Sequence, residues 1–217
     1  MQMGTQCLNK INRLCIIPAR ANSKRLKNKN IRFFRGKPLL VWSIEQALES
    51  GKFSCVAVSS DSEDYLHLAE QAGATHLINR PATLSTDTAS TIDVLLHAVK
   101  NCETTFKQKF RSVCLLQVTS PLRNVQDIVG ALELFESGLF DSVISVFRSK
   151  ADPYSTLVES GEIEGTYKLC KEPENPIDRQ QYAPSVFQIN GAVYIWDTLI
   201  LKQYKKVICE NTGVYEM

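Results

Sequence analysis

Residues 14–30 read Leu-Cys-Ile-Ile-Pro-Ala-Arg-Ala-Asn-Ser-Lys-Arg-Leu-Lys-Asn-Lys-Asn. Leu14 to Ile17 is an unbroken apolar run stopped by Pro18, the pattern of a short strand buried on both faces of a parallel sheet. The loop after it is cationic. Arg20, Lys24, Arg25, Lys27 and Lys29 stand among small and amide residues, with no carboxylate before Glu45. Clustered like charges repel one another, and a bound polyanion would offset that cost. In an open α/β sheet the ligand crevice lies at the carboxyl ends of the strands, where this loop begins. The loop has neither G-x-G-x-x-G nor G-x-x-x-x-G-K-[ST], and the nearest glycine is Gly36. An anion would therefore be held by side-chain cations, Ser23 and backbone N–H groups rather than by a P-loop or dinucleotide turn. Standing alone, a basic run of this kind reads first as a solvated loop.

Outward from this stretch, short apolar runs alternate with helical periodicity. Pro38 opens a helix with Leu40, Ile44, Ala47 and Leu48 inward, stopped near Gly51. Cys55 to Val58 reads as a second strand. Ser59-Ser60-Asp61-Ser62 then supplies caps for a helix carrying Tyr65, Leu68, Ala69 and Ala72. Thr75 to Ile78 is a brief third strand, and Ile92, Leu95, Leu96 and Val99 mark one helical face. Val113 to Leu116 reads as a central strand. Asn124 caps the next helix with Asp127 in its first turn, and Ser142 to Phe147 is again strand-like. Such alternation is the grammar of a parallel α/β sheet. Between 148 and 184, around Pro153, Pro173, Pro176 and Pro184, periodicity lapses, as in a lid or subunit arm. Val186 to Trp196 returns to strand, and Thr198 to Tyr204 is a short helix.

With 217 residues, 44% of them hydrophobic and 22% charged, the chain suits a single globular domain. Lys and Arg total 25 against 23 Asp and Glu, a net charge of +2, so there is no general case for binding nucleic acid or membrane. The seven cysteines, at 7, 15, 55, 102, 114, 170 and 209, form no C-x-x-C pair, which favours a reducing, cytoplasmic setting. Met1 to Arg13 has no apolar leader core, and no run approaches the length of a membrane span. His67, His76 and His97 share no metal-ligand spacing.

Three further segments carry chemistry. In Arg80-Pro81-Ala82 through Asp87-Thr88-Ala89-Ser90-Thr91, either Asp87 or Thr88 caps the following helix, or Thr88, Ser90 and Thr91 beside Arg80 present donors to a phosphate or ribose. Leu115-Leu116-Gln117-Val118-Thr119-Ser120-Pro121-Leu122-Arg123 ends a strand with an amide able to both donate and accept. Asp178-Arg179-Gln180-Gln181-Tyr182 lies upstream of Asn190-Gly191-Ala192-Val193-Tyr194. A lone arginine such as Arg179 is usually a surface cation. A fixed guanidinium also suits charge that grows on phosphate oxygens.

These segments, with Ile17-Pro18-Ala19-Arg20, Ser23-Lys24-Arg25-Leu26, Lys29-Asn30-Ile31 and Gly36-Lys37-Pro38-Leu39-Leu40, closely resemble the motifs of the CMP-sugar-acid synthetases. The nearest branch is that of the N-acylneuraminate cytidylyltransferases, and the likeness runs from about Leu14 to Tyr194. The resemblance implies an α/β, Rossmann-like three-layer fold with a mostly parallel twisted sheet and a protruding dimerisation arm near 148–184, acting as a homodimer. It implies transfer from CTP to a nine-carbon sugar acid. Arg20, Ser23, Lys29, Asn30, Arg80, Thr88 and Thr91 would hold the nucleotide, Gln117 and Asn190 would face the acid, and Arg179 would stabilise the reacting phosphate. It also implies Mg2+ held by an Asp-x-Asp pair beyond a strand near Val207. The sequence runs out at Glu210 to Met217 without that pair, so the expectation is weak CTP binding and slow or no turnover, and the alternative is a catalytically silent nucleotide-binding or dimerisation module. Gln188 stands where sialic-acid enzymes often carry a basic residue, which brings legionaminic and related nonulosonic acids into view as alternatives.

Overall fold

The apolar run that opens the chain forms β1 (Arg13–Pro18), in which Leu14 to Ile17 have no solvent exposure because both faces of the strand are covered. This is a computed structural model, and it describes residues 12–21, 23, 26–172 and 184–217. A two-residue turn, Arg35-Gly36, joins β2 (Phe33–Phe34) to β3 (Lys37–Pro38). Both turn residues have positive φ, +47° and +82°, as tight hairpin turns require. Next come α1 (Leu39–Glu49), β4 (Cys55–Ser60), α2 (Glu63–Gln71), β5 (His76–Asn79), α3 (Thr91–Phe106) and β6 (Ser112–Leu116). They are followed by α4 (Val125–Glu136), β7 (Ser142–Arg148), β8 (Val158–Ser160), β9 (Tyr167–Leu169), β10 (Phe187–Asp197), α5 (Thr198–Tyr204) and β11 (Thr212–Glu216).

Seven strands form one sheet in the order β11-β7-β10-β6-β1-β4-β5. The pairs of β1 with β4, β1 with β6 and β4 with β5 are parallel, whereas β10 runs antiparallel to β6. Period-two alternation divides the strand side chains between two helical layers. Cys15, Ile17, Val56, Val58, Cys114 and Leu116 pack with Leu40 and Ile44 of α1, Ala69 of α2 and Ile128 and Leu132 of α4. The alternate set, including Leu14, Ile16, Val113 and Leu115, faces the other way, where α3 lies against β1, β4 and β5. The α/β, mostly parallel, three-layer expectation therefore holds.

Local expectations fare unevenly. Asn124 and Asp127 form a reciprocal capping box on α4, as their spacing implied. Ser59 and Ser60 are not helix caps but the fully buried end of β4, and Ser62, at the head of α2, makes no side-chain capping bond. Neither Asp87 nor Thr88 caps α3; Ser90 does, its hydroxyl accepting from the Ile92 N–H. Leu48 is 37% exposed rather than inward. Trp196 is fully buried, while Trp42 is half-buried and donates to the Phe34 carbonyl at 2.8 Å. The stretch near Val207 is not a strand, its carbonyl accepting from the Trp196 indole.

The chain divides into two compact units, Met1–Ser145 with Gly191–Tyr215, and Val146–Asn190 with Glu216–Met217. The second carries the antiparallel hairpin of β8 and β9, with Val158, Ile163 and Tyr167 exposed. Within it, Asp152 organises a turn by accepting from the Tyr154 N–H and the Ser155 hydroxyl.

Candidate active site

Four parallel strands deliver their next residues to one edge of the first unit. β1 is followed by Ala19 to Ala21, β4 by Asp61, β5 by Arg80 and β6 by Gln117. A cleft of about 280 Å3 opens there, lined by Arg20, Ser23, Lys29, Asn30, Arg80, Thr91 and Gln117. Thr88 lines an adjoining depression with Arg20, Ser23 and Asp87. Eight residues expected to bind ligand are thus brought to one place from segments up to a hundred positions apart. Asn190 lies half-buried at the end of the second unit, and Gln188 is exposed. Arg179 lies outside the described residues, as do Lys24 and Arg25.

The basic loop is pinned by its backbone. The Ala19 N–H reaches the Ser59 carbonyl at 2.9 Å, and the Ala21 N–H reaches Asp61 Oδ1 at 2.9 Å. Asn30, in a 3-10 turn at Lys29–Ile31, is 6% exposed and donates from Nδ2 to the Arg20 carbonyl at 2.9 Å. Asn28, with φ +54°, starts that turn in the left-handed region that asparagine tolerates. The loop's described fixed points are thus backbone groups, the Asn30 amide and the Asp61 carboxylate, and of its cations Arg20 and Lys29 line the cleft.

The two arginines are held differently. Arg80 is 6% exposed and donates from Nε to Ser59 Oγ at 3.1 Å and from Nη2 to the Ser59 carbonyl. Burial pushes its pKa down, the Asp61 carboxylate opposes that, and the nearby Arg20 charge adds to it. Arg20 spans the cleft mouth, with Nη1 on the Thr86 carbonyl and Nη2 on Asp87 Oδ1, both at 2.7 Å. Its partner Asp87 is therefore neither a cap nor a bystander, a role its sequence context gave no sign of.

Arg123 also went unassigned in the sequence. It is 2% exposed behind Gln117, within hydrogen-bonding reach of α1, β10 and the turn after β6. It already stands in the Ser-Pro-Leu-Arg motif, but only tertiary contacts reveal what it touches.

Among the described residues no group of three or more His, Cys, Asp or Glu could hold a metal ion. Asp61 and Asp87 are taken up by the Ala21 N–H and Arg20.

A parallel sheet whose carboxyl edge presents arginines, a lysine, hydroxyls and an amide to one cleft defines a Rossmann-like α/β domain with a site suited to an anionic ligand. The cytidylyltransferase family profile matches residues 14–175. The chain belongs to that family, whose members are nucleotidyltransferases. It is 32% identical over 204 residues to the CMP-N,N'-diacetyllegionaminic acid synthase of Campylobacter jejuni, covering 94% of this chain and 85% of that one. It is 34% identical over 208 residues to an N-acylneuraminate cytidylyltransferase of Streptococcus agalactiae, and here it spans only 48% of the relative's length. A CMP:2-keto-3-deoxy-manno-octonic acid synthetase complexed with CTP shares the fold, with TM-score 0.65 and 18% identity over 95% of this chain and 90% of that one.

Proposed function

We propose that this chain transfers the cytidylyl group of CTP to the anomeric hydroxyl of a nonulosonic acid. The sugar oxygen bonds to the α-phosphorus, the bond to the β-phosphate oxygen breaks, pyrophosphate leaves and the hydroxyl proton is lost. The observation that carries this reading is the convergence of Arg20, Ser23, Lys29, Asn30, Arg80, Thr91 and Gln117 on one cleft at the carboxyl edge of the sheet. The family membership and the names of the relatives supply the nucleotide and the class of acceptor.

In this reading Arg20, Ser23 and Lys29 hold the triphosphate, while Asn30, Arg80, Thr88 and Thr91 complete the nucleotide pocket. Phosphoryl-type transfer needs little covalent chemistry from the protein, so fixed cations and alignment supply most of the acceleration. Arg80, already desolvated, loses little in ordering when it meets an anion. Gln117 and Asn190 face the acid, and Arg179 stabilises charge on the reacting phosphate. N-Acetylneuraminic and legionaminic acids carry the same carboxylate, so the neutral Gln188 does not choose between them, and the acceptor is proposed as a class, the nonulosonic acids.

Mg2+ is proposed as the triphosphate's counter-ion, neutralising charge and aligning the leaving group. The described carboxylates do not form a ligand set for it, since Asp87 is ion-paired with Arg20 and no group of three or more His, Cys, Asp or Glu gathers among the described residues. A homodimer built through the second unit, and a cytoplasmic setting, complete the proposal. The first is supported by the exposed apolar residues of the β8–β9 hairpin, the second by cysteines that are all free thiols among the described residues. No described helix is long and apolar enough to cross a membrane.

Titration calorimetry with CTP, UTP and ATP tests the nucleotide site. CTP should bind tightest, and Lys29→Ala should weaken it about tenfold, the loss of one charge-assisted contact of roughly 1.5 kcal/mol. Equal binding of all three nucleotides, unaffected by Lys29→Ala, would overturn the assignment.

A further inference from the structure

We infer that Arg123 and Gly191 are positioning residues for the Gln117 side chain and thereby govern how the acceptor acid is held, an inference that rests on the acceptor role proposed for Gln117. Arg123 Nη1 donates to the Ala192 carbonyl at 2.7 Å and to the Gln117 carbonyl at 3.3 Å. Its Nη2 donates to Gln46 Oε1 at 2.8 Å and to Ser43 Oγ at 3.1 Å. Gln46 answers with its own Nε2, which donates to the Pro121 carbonyl at 3.3 Å and to the Arg123 carbonyl. All four acceptors of the guanidinium are neutral, and burial pushes its pKa down. Its Nε has no partner among the described residues.

A buried charge without a carboxylate partner is a poor source of stability. The planar fork does supply registry, because its directions are fixed. Here it ties α1 to the residue that follows β6 and to the facing residue of β10, since Leu116 pairs with Val193 and Gln117 therefore lies opposite Ala192. The backbone of Gln117 is thus fixed from behind the cleft that its side chain lines.

The amide itself is bounded by Gly191. This residue has φ +77°, and a Cβ added there would lie 3.1 Å from Gln117 Oε1, tighter than ordinary contact. The Thr119 hydroxyl donates to the same oxygen at 3.4 Å. Glycine at 191 is therefore needed twice, for its backbone conformation and for the space in which the carboxamide sits. A side chain there would push the amide away from β10 and shift whatever it holds. The residues proposed for the nucleotide follow β1 and β5 or stand at the head of α3; Gln117 shares their cleft, whereas Arg123 and Gly191 do not line it.

The test has a spectroscopic arm and a kinetic one. The side-chain amide resonances of Gln117, assigned by their loss in Gln117→Glu, are compared in Arg123→Lys and Gly191→Ala, with urea midpoints reporting folding. Ser43→Ala, which removes one neutral acceptor and keeps the charge, takes the place of either variant that does not fold. Both variants should move those resonances. With CTP and either legionaminic or N-acetylneuraminic acid, kcat/KM for the acid should fall at least tenfold while KM for CTP stays within twofold. Misplacement by about an ångström is known to cost up to about 100-fold. Unmoved resonances, or equal rises in KM for acid and CTP, would overturn the inference. Shifted resonances, combined with acid kinetics that Gln117→Ala leaves untouched, would instead sink the acceptor role of Gln117 and leave the clamp standing.

Discussion

Arg20 shows how a residue can be legible in kind and not in state. Its place in a cationic loop after the first strand marked it as an anion ligand, yet its guanidinium is taken up by Asp87 and the Thr86 carbonyl. A phosphate entering here competes with a carboxylate that already occupies the position of an anion. The pair is partly exposed, and such pairs are worth only about 0.2–1 kcal/mol. Asp87→Asn should accordingly tighten CTP by about 1.5- to 5-fold, with the gain shrinking as salt rises; calorimetry at two ionic strengths reads it. Weaker binding in Asp87→Asn would mean the carboxylate serves the nucleotide rather than rivals it. His97 carries a second residue-scale expectation. Burial first, then the charges of Arg80 and Lys100, hold its imidazole below the ordinary value, and its buried Nδ1 has no partner among the described residues. The unfolded chain therefore binds a proton there that the folded chain resists. Stability is intact above the ordinary histidine pKa of about 6.5 and declines as pH falls through it. Urea midpoints between about pH 7 and pH 5 should fall less steeply in His97→Gln than in the parent chain.

At the scale of elements, the strands and helices that bury a continuous face were readable, because burial writes periodicity into sequence. β1, β4, β6, α3 and α4 are of this kind. The β2–β3 hairpin was not, since two-residue strands are too short to show a period. Ser59 and Ser60 were misread because small hydroxyls favour caps in general, whereas here Ser59 is buried against an arginine 21 positions away. The edge strand β11 rests on another contact of this sort. Gly213 is buried against Phe140, and an added Cβ would lie 2.6 Å from Cδ2 and 2.7 Å from Cγ of that ring. Gly213→Ala should cost about 1–3 kcal/mol in urea unfolding, as overpacking does. Phe140→Leu in the same chain should recover part of that loss, a coupling that a double-mutant cycle measures. Additive losses would place the strain elsewhere.

For the whole molecule, the sheet order and its carboxyl edge explain why residues from three distant motifs meet in one cleft. That convergence could be anticipated because each motif follows an apolar run, and the ends of parallel strands must share an edge. The inward clamp of Arg123 and the space left by Gly191 could not, because each depends on a neighbour brought in by a different element. The expected roles of Arg179 and Asn190 belong to the second unit, and for Arg179 the sequence had lost its periodicity and offered only the motif. The measurement that bears most directly on the central claim is pyrophosphate release from CTP and magnesium with legionaminic, N-acetylneuraminic and 2-keto-3-deoxy-manno-octonic acids in turn. The account predicts acid-dependent release, with a nonulosonic acid preferred and a CMP-sugar as the second product. CTP binding without acid-dependent release from any of the three would contradict it.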